Sequence, residues 1–224
     1  YDLAGRKSAM EDPNKGSWQY RYNSLGELTR QRDAKSQAID FIYDTLGRVT
    51  SRCERTSVSS LNDSSFGTPH CEISDYHGSG PGEGQLERVR YQTGSGSLVH
   101  QQTYGFDNRG RLTSVATDTG AMLTTERTTY DQFSRVFQHF DATGEDFGVR
   151  YNYRNGHVHK LREARDGTAG VVYQEILATD AYGNVTAAEL NDGRIETFAD
   201  YEPDSGRLEN LSAYRSTGQQ LQDV

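Results

Sequence analysis

The chain of 224 residues carries a formal net charge of −8, with 24 Lys and Arg against 32 Asp and Glu. This excess of acidic residues argues against sequence-independent binding to nucleic acid, which needs clustered Lys and Arg to contact phosphates. Only 33% of the residues are hydrophobic, but the chain has 14 Tyr, 8 Phe and 23 Gly against 4 Pro. A composition rich in aromatic residues and glycine, with few prolines, predicts an all-β protein with many tight turns.

One short sequence pattern recurs along the whole chain. It begins as Tyr-Asp-Leu-Ala-Gly-Arg-Lys at residues 1–7 and returns in clear copies at residues 22–29, 43–50, 106–113 and 130–137. Weaker copies lie at residues 153–158, 179–186 and 201–208, and a further copy is predicted at Gly82–Glu87. Because an internal repeat usually determines the whole architecture, residues 1–224 are predicted to form a single array of about nine repeats.

Each copy has the chemistry of a chain reversal. Asp at the first turn position, as in Asp44, suits a type I turn, and Gly three residues later, as in Gly47, supplies the positive φ of a longer hairpin loop. Apolar residues alternate before the turns, so that Trp18, Tyr20 and Tyr22 project from one face of a strand. Each copy is therefore predicted to be a strand, a turn and a second strand.

Further elements follow in chain order. The same alternation predicts strands that end at Tyr43 and Tyr153. Return strands are expected at residues 48–52 and 111–118, with additional reversals near residues 33–36 and 119–120. Residues 161–164 are the best candidate for a helix, but the segment is too short to be stable on periodicity alone.

An insertion at about residues 52–82 interrupts the regular spacing and contains both cysteines, Cys53 and Cys71. In an oxidising compartment these residues could pair, and closing a loop of this size contributes about 3 kcal/mol through chain entropy. Neither cysteine has a second Cys beside it, as a zinc site would require. A disulfide and two free thiols remain open alternatives on the sequence.

The recurring Tyr-Asp-x-x-Gly-Arg-Leu-Thr core resembles the YD or Rhs repeat family, which includes bacterial Rhs proteins, the B and C components of Tc insecticidal toxin complexes, wall-associated repeat proteins and the teneurins. The resemblance covers essentially the whole chain. It implies a curved antiparallel sheet of tandem β-hairpins, a segment of the shell that encloses a cytotoxic C-terminal domain in the bacterial toxins. The chain lacks an initiating Met and has too few hairpins, by this resemblance, to close a cavity. It is therefore expected to be a fragment of a longer polypeptide.

The resemblance assigns a structural position of the repeat to individual residues of this chain. The aromatic position, whose rings are expected to stack as a ladder between adjacent hairpins, matches Tyr1, Tyr22, Tyr43, Phe106, Tyr130 and Tyr201. The turn glycine matches Gly5, Gly26, Gly47, Gly110, Gly183 and Gly206. The basic position after it matches Arg6, Arg48, Arg111, Arg135 and Arg207. The chain has no Asp-Pro-x-Gly-Leu signature of the self-cleaving repeat core, so autoproteolysis is not expected.

Two other groups of residues could carry chemistry. His157 and His159 face the same side of a strand and could begin a metal site if His139 joined them, but a solvent-facing polar pair is the favoured interpretation. Asp200 and Glu202, with Asp204, form an acidic group of the kind that glycoside hydrolysis uses, but they flank a turn, where acidic residues have a structural reason. The sequence therefore predicts no catalytic residue, no cofactor, no metal and no enzymatic activity.

The leading hypothesis for function is a non-enzymatic wall segment of an Rhs- or Tc-like shell that encloses and protects a C-terminal toxic polypeptide. Its partners would be the remaining repeats of the parent chain and the enclosed cargo. The alternative is a cell-surface or secreted repeat module that binds glycans or proteins. Both hypotheses imply a secreted or cell-surface location. No run approaches the roughly 20 apolar residues that cross a bilayer, so membrane insertion by this segment is not expected.

Overall fold

A computed structural model describes residues 1–62, 69–142, 147–165 and 168–223. These residues form 18 β-strands and no helix. The chain divides into two compact units, Tyr1–Thr124 and Thr125–Val224. Within each unit, consecutive strands pair in antiparallel fashion, so that each hairpin lies beside the next along the chain. The predicted fold class, an all-β antiparallel sheet of tandem hairpins, is confirmed.

The first unit begins with three strands before the reversal at residues 33–36 and continues with six more. These are β1 (Ala9–Asp12), β2 (Gly16–Tyr22), β3 (Leu28–Arg32), β4 (Ala38–Tyr43), β5 (Val49–Arg55), β6 (His70–Tyr76), β7 (Leu86–Gln92), β8 (Leu98–Phe106) and β9 (Leu112–Asp118). The N–H of Asp33 donates to the carbonyl of Gln37 at 2.9 Å, and the N–H of Thr119 donates to that of Met122 at 3.1 Å. Both additional reversals are therefore confirmed.

The second unit follows the same plan. Its strands are β10 (Leu123–Tyr130, beginning just before the unit), β11 (Val136–Phe140), β12 (Gly148–Arg154), β13 (His157–Arg165), β14 (Thr168–Thr179), β15 (Val185–Leu190), β16 (Ile195–Tyr201), β17 (Leu208–Arg215) and β18 (Gln220–Asp223). Residues 161–164, the best helix candidate in the sequence, belong to β13. The apolar residues Leu161 and Ala164 are three positions apart, which is a helical spacing, but the strand accommodates it through register shifts at Leu161/Arg162 and Arg162/Ala164.

The hairpins of the clear copies share a one-residue shift of register next to the aromatic position. The shift lies at Arg21/Tyr22, Ile42/Tyr43, Gly105/Phe106 and Thr129/Tyr130. A type I turn followed by a residue in the left-handed region places one extra residue on the return strand, which produces this bulge. The turn thus determines the register, and the register determines which side chains share a face.

The connection after β5 folds back against β3 and the turn that follows it. Val58 in this connection is 1% exposed, and its N–H donates to the carbonyl of Ser36 at 2.8 Å. Arg32 Nε donates to the carbonyl of Val58 at 2.8 Å, and Arg30 Nη1 donates to that of Leu61 at 3.0 Å. Two arginines of one strand therefore satisfy the backbone of a connection that buries an apolar side chain.

Small side chains form much of the core of the second unit. Phe140 is buried there together with the alanines Ala164, Ala188 and Ala199. Gly148 lies so close to its neighbours that an added Cβ would stand 2.7 Å from the ring of Phe140. Because few large side chains are buried in this unit, contacts at the turns gain importance for holding adjacent hairpins together.

Candidate functional site

The turn of a clear repeat is closed by its own acidic residue. In the copy that begins at Tyr43, Asp44 Oδ1 accepts hydrogen bonds from the N–H groups of Leu46 at 2.9 Å and Arg48 at 3.0 Å, and Oδ2 accepts from Arg48 Nε at 2.7 Å. The φ of Gly47 is 76°, and its N–H donates to the carbonyl of Asp44 at 3.1 Å. This is a type I turn followed by a glycine in the left-handed region.

Other copies keep this arrangement or replace one or both partners. The same carboxylate–guanidinium pair occurs as Asp2–Arg6 at 2.7 Å, Asp107–Arg111 at 2.6 Å and Asp131–Arg135 at 2.7 Å. Changed pairs are Asn23 with Glu27 at 2.5 Å, Asp180 with Asn184 at 2.8 Å and Glu202 with Arg207 at 3.8 Å. Gly5, Gly26, Gly110, Gly183 and Gly206 all have positive φ, and Ser134 takes the glycine position with a φ of 65°.

The arginine of one copy also contacts the following copy. A guanidinium lies over the ring of the tyrosine in the next copy, as in Arg6 over Tyr22 at 4.9 Å, Arg48 over Tyr76 at 4.1 Å and Arg135 over Tyr153 at 4.1 Å. These separations are within the range of cation–π attraction. Arg48 Nη1 also donates to the carbonyl of Gly84, in the next turn, at 2.9 Å. The residue that closes one turn therefore binds the next hairpin.

The tyrosine hydroxyl makes the return contact with the preceding hairpin. It donates to the carbonyl at the start of the preceding return strand: Tyr22 to Lys7 at 3.0 Å, Tyr43 to Leu28 at 2.9 Å, Tyr76 to Val49 at 3.1 Å, Tyr153 to Val136 at 2.8 Å and Tyr201 to Val185 at 3.3 Å. We call this set of Asp, Arg and next-copy Tyr contacts the inter-repeat clamp. It joins two hairpins at the edge where the turns lie.

The charges of the clamp depend on its hydrogen bonds. The hydrogen bond from the Arg111 guanidinium lowers the pKa of Asp107 from 3.8 to about 2. The backbone N–H and the guanidinium of Arg48 likewise hold the pKa of Asp44 below its usual value. Both carboxyl groups are therefore ionised at neutral pH and remain so in mild acid.

The contacts described above do not form the ladder of stacked rings that was expected from the sequence. Successive repeats are two strands apart, about 9.6 Å, whereas aromatic rings interact at about 4.5–7 Å. At Tyr22, Tyr76 and Tyr153 a guanidinium occupies that gap. Phe106, which has no hydroxyl, instead meets the ring of His77 edge-on at 5.5 Å. The remaining predicted aromatics are Tyr1, which is 84% exposed, and Tyr43, Tyr130 and Tyr201, which end β4, β10 and β16.

Sequence reasoning did not include Tyr76 and Tyr153 among the repeat positions. Tyr76 belongs to the copy predicted at Gly82–Glu87, but its turn is wider than the others, with the N–H of His77 donating to the carbonyl of Gln85 at 2.9 Å. In the other copy, Asn155 and Gly156 form a tighter turn after Tyr153, both with positive φ. The sequence contains the signal for Tyr153, which ends an alternating strand and begins a weak copy, whereas the wide turn after Tyr76 hides that residue from the repeat spacing.

The remaining predicted residues lie apart from the clamp. Cys53 and Cys71 are directly opposite each other on β5 and β6 and form a disulfide. Because β5 ends at Arg55 and β6 begins at His70, only residues 56–69 of the expected insertion connect the two strands. His159 lies 3.4 Å from Glu175. Among the described residues no group of three or more His, Cys, Asp and Glu could hold a metal ion. The part of the chain that the structure describes contains no helix long and apolar enough to cross a membrane.

These features define an array of tandem β-hairpins clamped to one another at their turns. Residues 22–53 match the model of a family described as RHS Repeat, which confirms the resemblance seen in the sequence. No curated protein matches the chain.

Solved structures share the fold. The chain superimposes on the crystal structure of TcdB2-TccC3-TEV with a TM-score of 0.67 and 20% identity, over 100% of this chain and 11% of that chain. The Photorhabdus luminescens Tc holotoxin pore gives a TM-score of 0.66, 20% identity and the same coverage of 100% and 11%. TcdB2-TccC3 alone gives 0.66 and 20%, over 100% of this chain and 12% of that chain. The chain thus spans about one ninth of the length of the first structure it resembles.

Proposed function

We propose that this chain is a non-enzymatic wall segment of a longer RHS-type polypeptide, whose repeats enclose and protect a C-terminal polypeptide cargo. In this proposal residues 1–224 are a single repeat array, and its partners are the neighbouring repeats and the cargo. The parent polypeptide acts outside the cell that makes it, either secreted or at the cell surface.

The observation that supports the proposal is the similarity in fold of the whole chain to 11% of the chain in the TcdB2-TccC3-TEV structure. The inter-repeat clamp supports it physically. A strip of hairpins buries little apolar surface, so its cohesion needs a contact that is repeated at each step. The clamp supplies one, because the Asp44–Arg48 pair closes its own turn while Arg48 binds Tyr76 of the next copy. Repetition of such a contact suits a wall that extends over many hairpins.

The experiment is limited proteolysis with mass spectrometry on the full-length polypeptide that contains this chain, following a segment C-terminal to the repeats. We expect that segment to resist cleavage in native buffer and to become sensitive in mild denaturant at the point where the repeats lose structure. A Gly47→Val variant should move that point to a lower denaturant concentration. Gly78→Val is the matched control, because Gly78 has no positive φ and an added Cβ there would meet nothing within 4 Å.

Two outcomes decide the matter. Protection that is lost together with repeat structure, earlier in Gly47→Val than in Gly78→Val, supports enclosure. Immediate cleavage of the C-terminal segment in the native polypeptide contradicts enclosure, and would favour an open surface array that binds other molecules.

A further inference from the structure

Two arginines of the second unit, Arg150 and Arg162, lie opposite each other on neighbouring strands. Arg150 on β12 and Arg162 on β13 are directly opposite each other in the strand register. Like charges at such a position repel and destabilise an antiparallel pair. Among the described residues neither guanidinium has a hydrogen-bond or ion-pair partner, and the Nε atoms of both are buried and unpaired. The fold thus keeps an electrostatic cost that a nearby carboxylate would remove.

The first unit shows what occupies the space between neighbouring arginines elsewhere in this chain. Asp75 accepts from Arg88 Nε at 3.0 Å and from Arg90 Nη2 at 2.9 Å. Asp40 binds Arg30 and Arg55 in the same way. Burial would raise the pKa of Asp40, but the hydrogen bonds from Arg30 and Arg55 outweigh that effect and the pKa lies below its usual value. In both clusters one ionised carboxylate serves two guanidinium groups.

Among the described residues of the second unit, no carboxylate plays this part. Glu175 stands near Arg162, but Lys160 Nζ holds its carboxylate at 2.6 Å. The hydrogen bond from Lys160 also lowers the pKa of Glu175. The Arg150 guanidinium instead lies over the ring of Phe137, with its Cζ atom 4.6 Å from the ring centroid.

A groove of about 420 Å³ lies beside Arg162, and Arg150 is opposite that arginine in the strand register. Its lining is mostly basic or polar: Asn152, Tyr153, Arg154, His159, Lys160, Arg162 and Glu175. Asn152 Oδ1 is also buried there without a partner, and the side-chain amide can present either an acceptor or a donor to a bound molecule. A cationic groove of this kind is unusual in a chain whose net charge is −8. Its charge complements an acidic ligand.

We propose that Arg150, Arg162 and the adjoining groove form a binding site for a carboxylate carried by an acidic polypeptide segment. The chemistry is the one that Asp75 shows within this chain, where a single carboxylate bridges two guanidinium groups. Arginine side chains match a carboxylate with paired, charge-assisted hydrogen bonds. The groove extends from Arg162 along β12, β13 and β14, so that residues flanking the acidic one can lie on the sheet surface. This inference does not depend on whether the repeats enclose a cargo.

The test uses the 224-residue chain and a synthetic Ser-Glu-Ser-Glu-Ser peptide with blocked ends, at low ionic strength. Binding is followed by NMR through the Nε–H resonances of Arg150 and Arg162. The matched peptide with Gln in place of Glu is the first control, and inorganic phosphate is the second. We expect the Glu peptide to shift both resonances, the Gln peptide to shift neither, and phosphate to bind more weakly than the Glu peptide.

Variants of the chain give the second half of the test. Arg150→Gln or Arg162→Gln should weaken binding of the Glu peptide about tenfold, since each removes charge-assisted hydrogen bonds. Arg194→Gln removes an equal charge from an exposed position of the same unit and should leave affinity unchanged. Each Gln variant should melt at or above the temperature of the original chain, because the repulsion is relieved. If one fails to fold, Arg162→Lys keeps the charge but not the planar fork, and should also bind more weakly.

The contrary outcomes are equally definite. Unchanged peptide affinity in the Arg150 and Arg162 variants, or equal loss in Arg194→Gln, would overturn the site. Phosphate binding at these arginines without Glu-peptide binding would mean a site for a free oxyanion and would overturn the polypeptide as its occupant. Absence of any binding would overturn both.

Discussion

Two turns of the molecule are built on the same backbone but differ in what they hold. The turn that begins at Asp44 is closed by Arg48, and the turn that begins at Asp180 is closed by Asn184 at 2.8 Å. In both, the acidic Oδ1 accepts from backbone N–H groups, and a glycine of positive φ follows. The N–H of Gly183 donates to the carbonyl of Asp180 at 3.2 Å, as its counterpart does in the first turn.

The two turns differ in how they contact the next hairpin. Arg48 lies over Tyr76 and donates to the next turn, whereas Asn184 is too short to leave its own turn. In the described part of the chain no guanidinium lies over Tyr201, and its hydroxyl stands 3.3 Å from the Val185 carbonyl. The comparison teaches that the acidic residue and glycine make the turn, while the arginine joins one turn to the next.

The largest expected effect comes from replacing the glycine of positive φ that both turns contain. Gly47→Val and Gly183→Val each force a β-branched residue into positive φ, and each should cost about 1–3 kcal/mol. Native-state hydrogen exchange, measured at β4–β5 and at β14–β15, gives the two free energies of local unfolding. Gly78→Val is the control and should change neither. A loss at one glycine only would mean that the two turns do not share a backbone requirement.

The arginine should matter only where it reaches a neighbour. Arg48→Ala should cost about 1 kcal/mol at β4–β5 and also lower the stability of the hairpin that contains Tyr76, while Asn184→Ala should affect its own hairpin alone. Asn184→Arg is the sharper variant, because it supplies the missing guanidinium and should stabilise β16 by about 0.5 kcal/mol. Hydrogen exchange at β6 and β16 measures both effects. Identical responses to the two alanine variants would contradict the proposal that Arg48, unlike Asn184, stabilises the next hairpin.

The tyrosine hydroxyl should contribute less than the arginine. Tyr76→Phe leaves the Val49 carbonyl without its donor and should cost about 1 kcal/mol or less. Tyr201→Phe should cost still less, because its hydroxyl is farther from its acceptor. Urea denaturation of each variant provides the measurement, and a greater loss for Tyr201→Phe than for Tyr76→Phe would contradict the order.

The smallest effect is expected on acidification. Asp107 has a pKa of about 2 in the folded chain against an ordinary 3.8, so its charge stabilises the fold above pH 3.8. That contribution is lost as the pH falls from about 4 to about 2, where the folded carboxyl also takes up a proton. The unfolding free energies of the chain and of Asp107→Asn should therefore differ at neutral pH and converge near pH 2. A constant difference between the two unfolding free energies over that interval would show that the Asp107–Arg111 ion pair does not stabilise the fold.

The turns could be predicted from the sequence because their chemistry is local. Asp44 and Gly47 act within a few residues of each other, so the pattern reveals the reversal, the strand on each side and the repeat. It could not reveal that Arg48 meets Tyr76, since the wide turn after Tyr76 hides the aromatic position from any fixed spacing. Nor could it place Arg150 opposite Arg162, because the strand register depends on bulges that form only when the hairpins pair.

The central claim is that the arginine of one repeat and the tyrosine of the next stabilise each other. The most direct test is a double-mutant cycle of Arg48→Ala and Tyr76→Leu, with Asn184→Ala and Tyr201→Leu as the matched cycle, measured by urea denaturation. The clamp predicts a coupling free energy of about 0.5–2 kcal/mol for the first pair and none within error for the second. Additive losses for Arg48 and Tyr76, or equal coupling in both cycles, would contradict it.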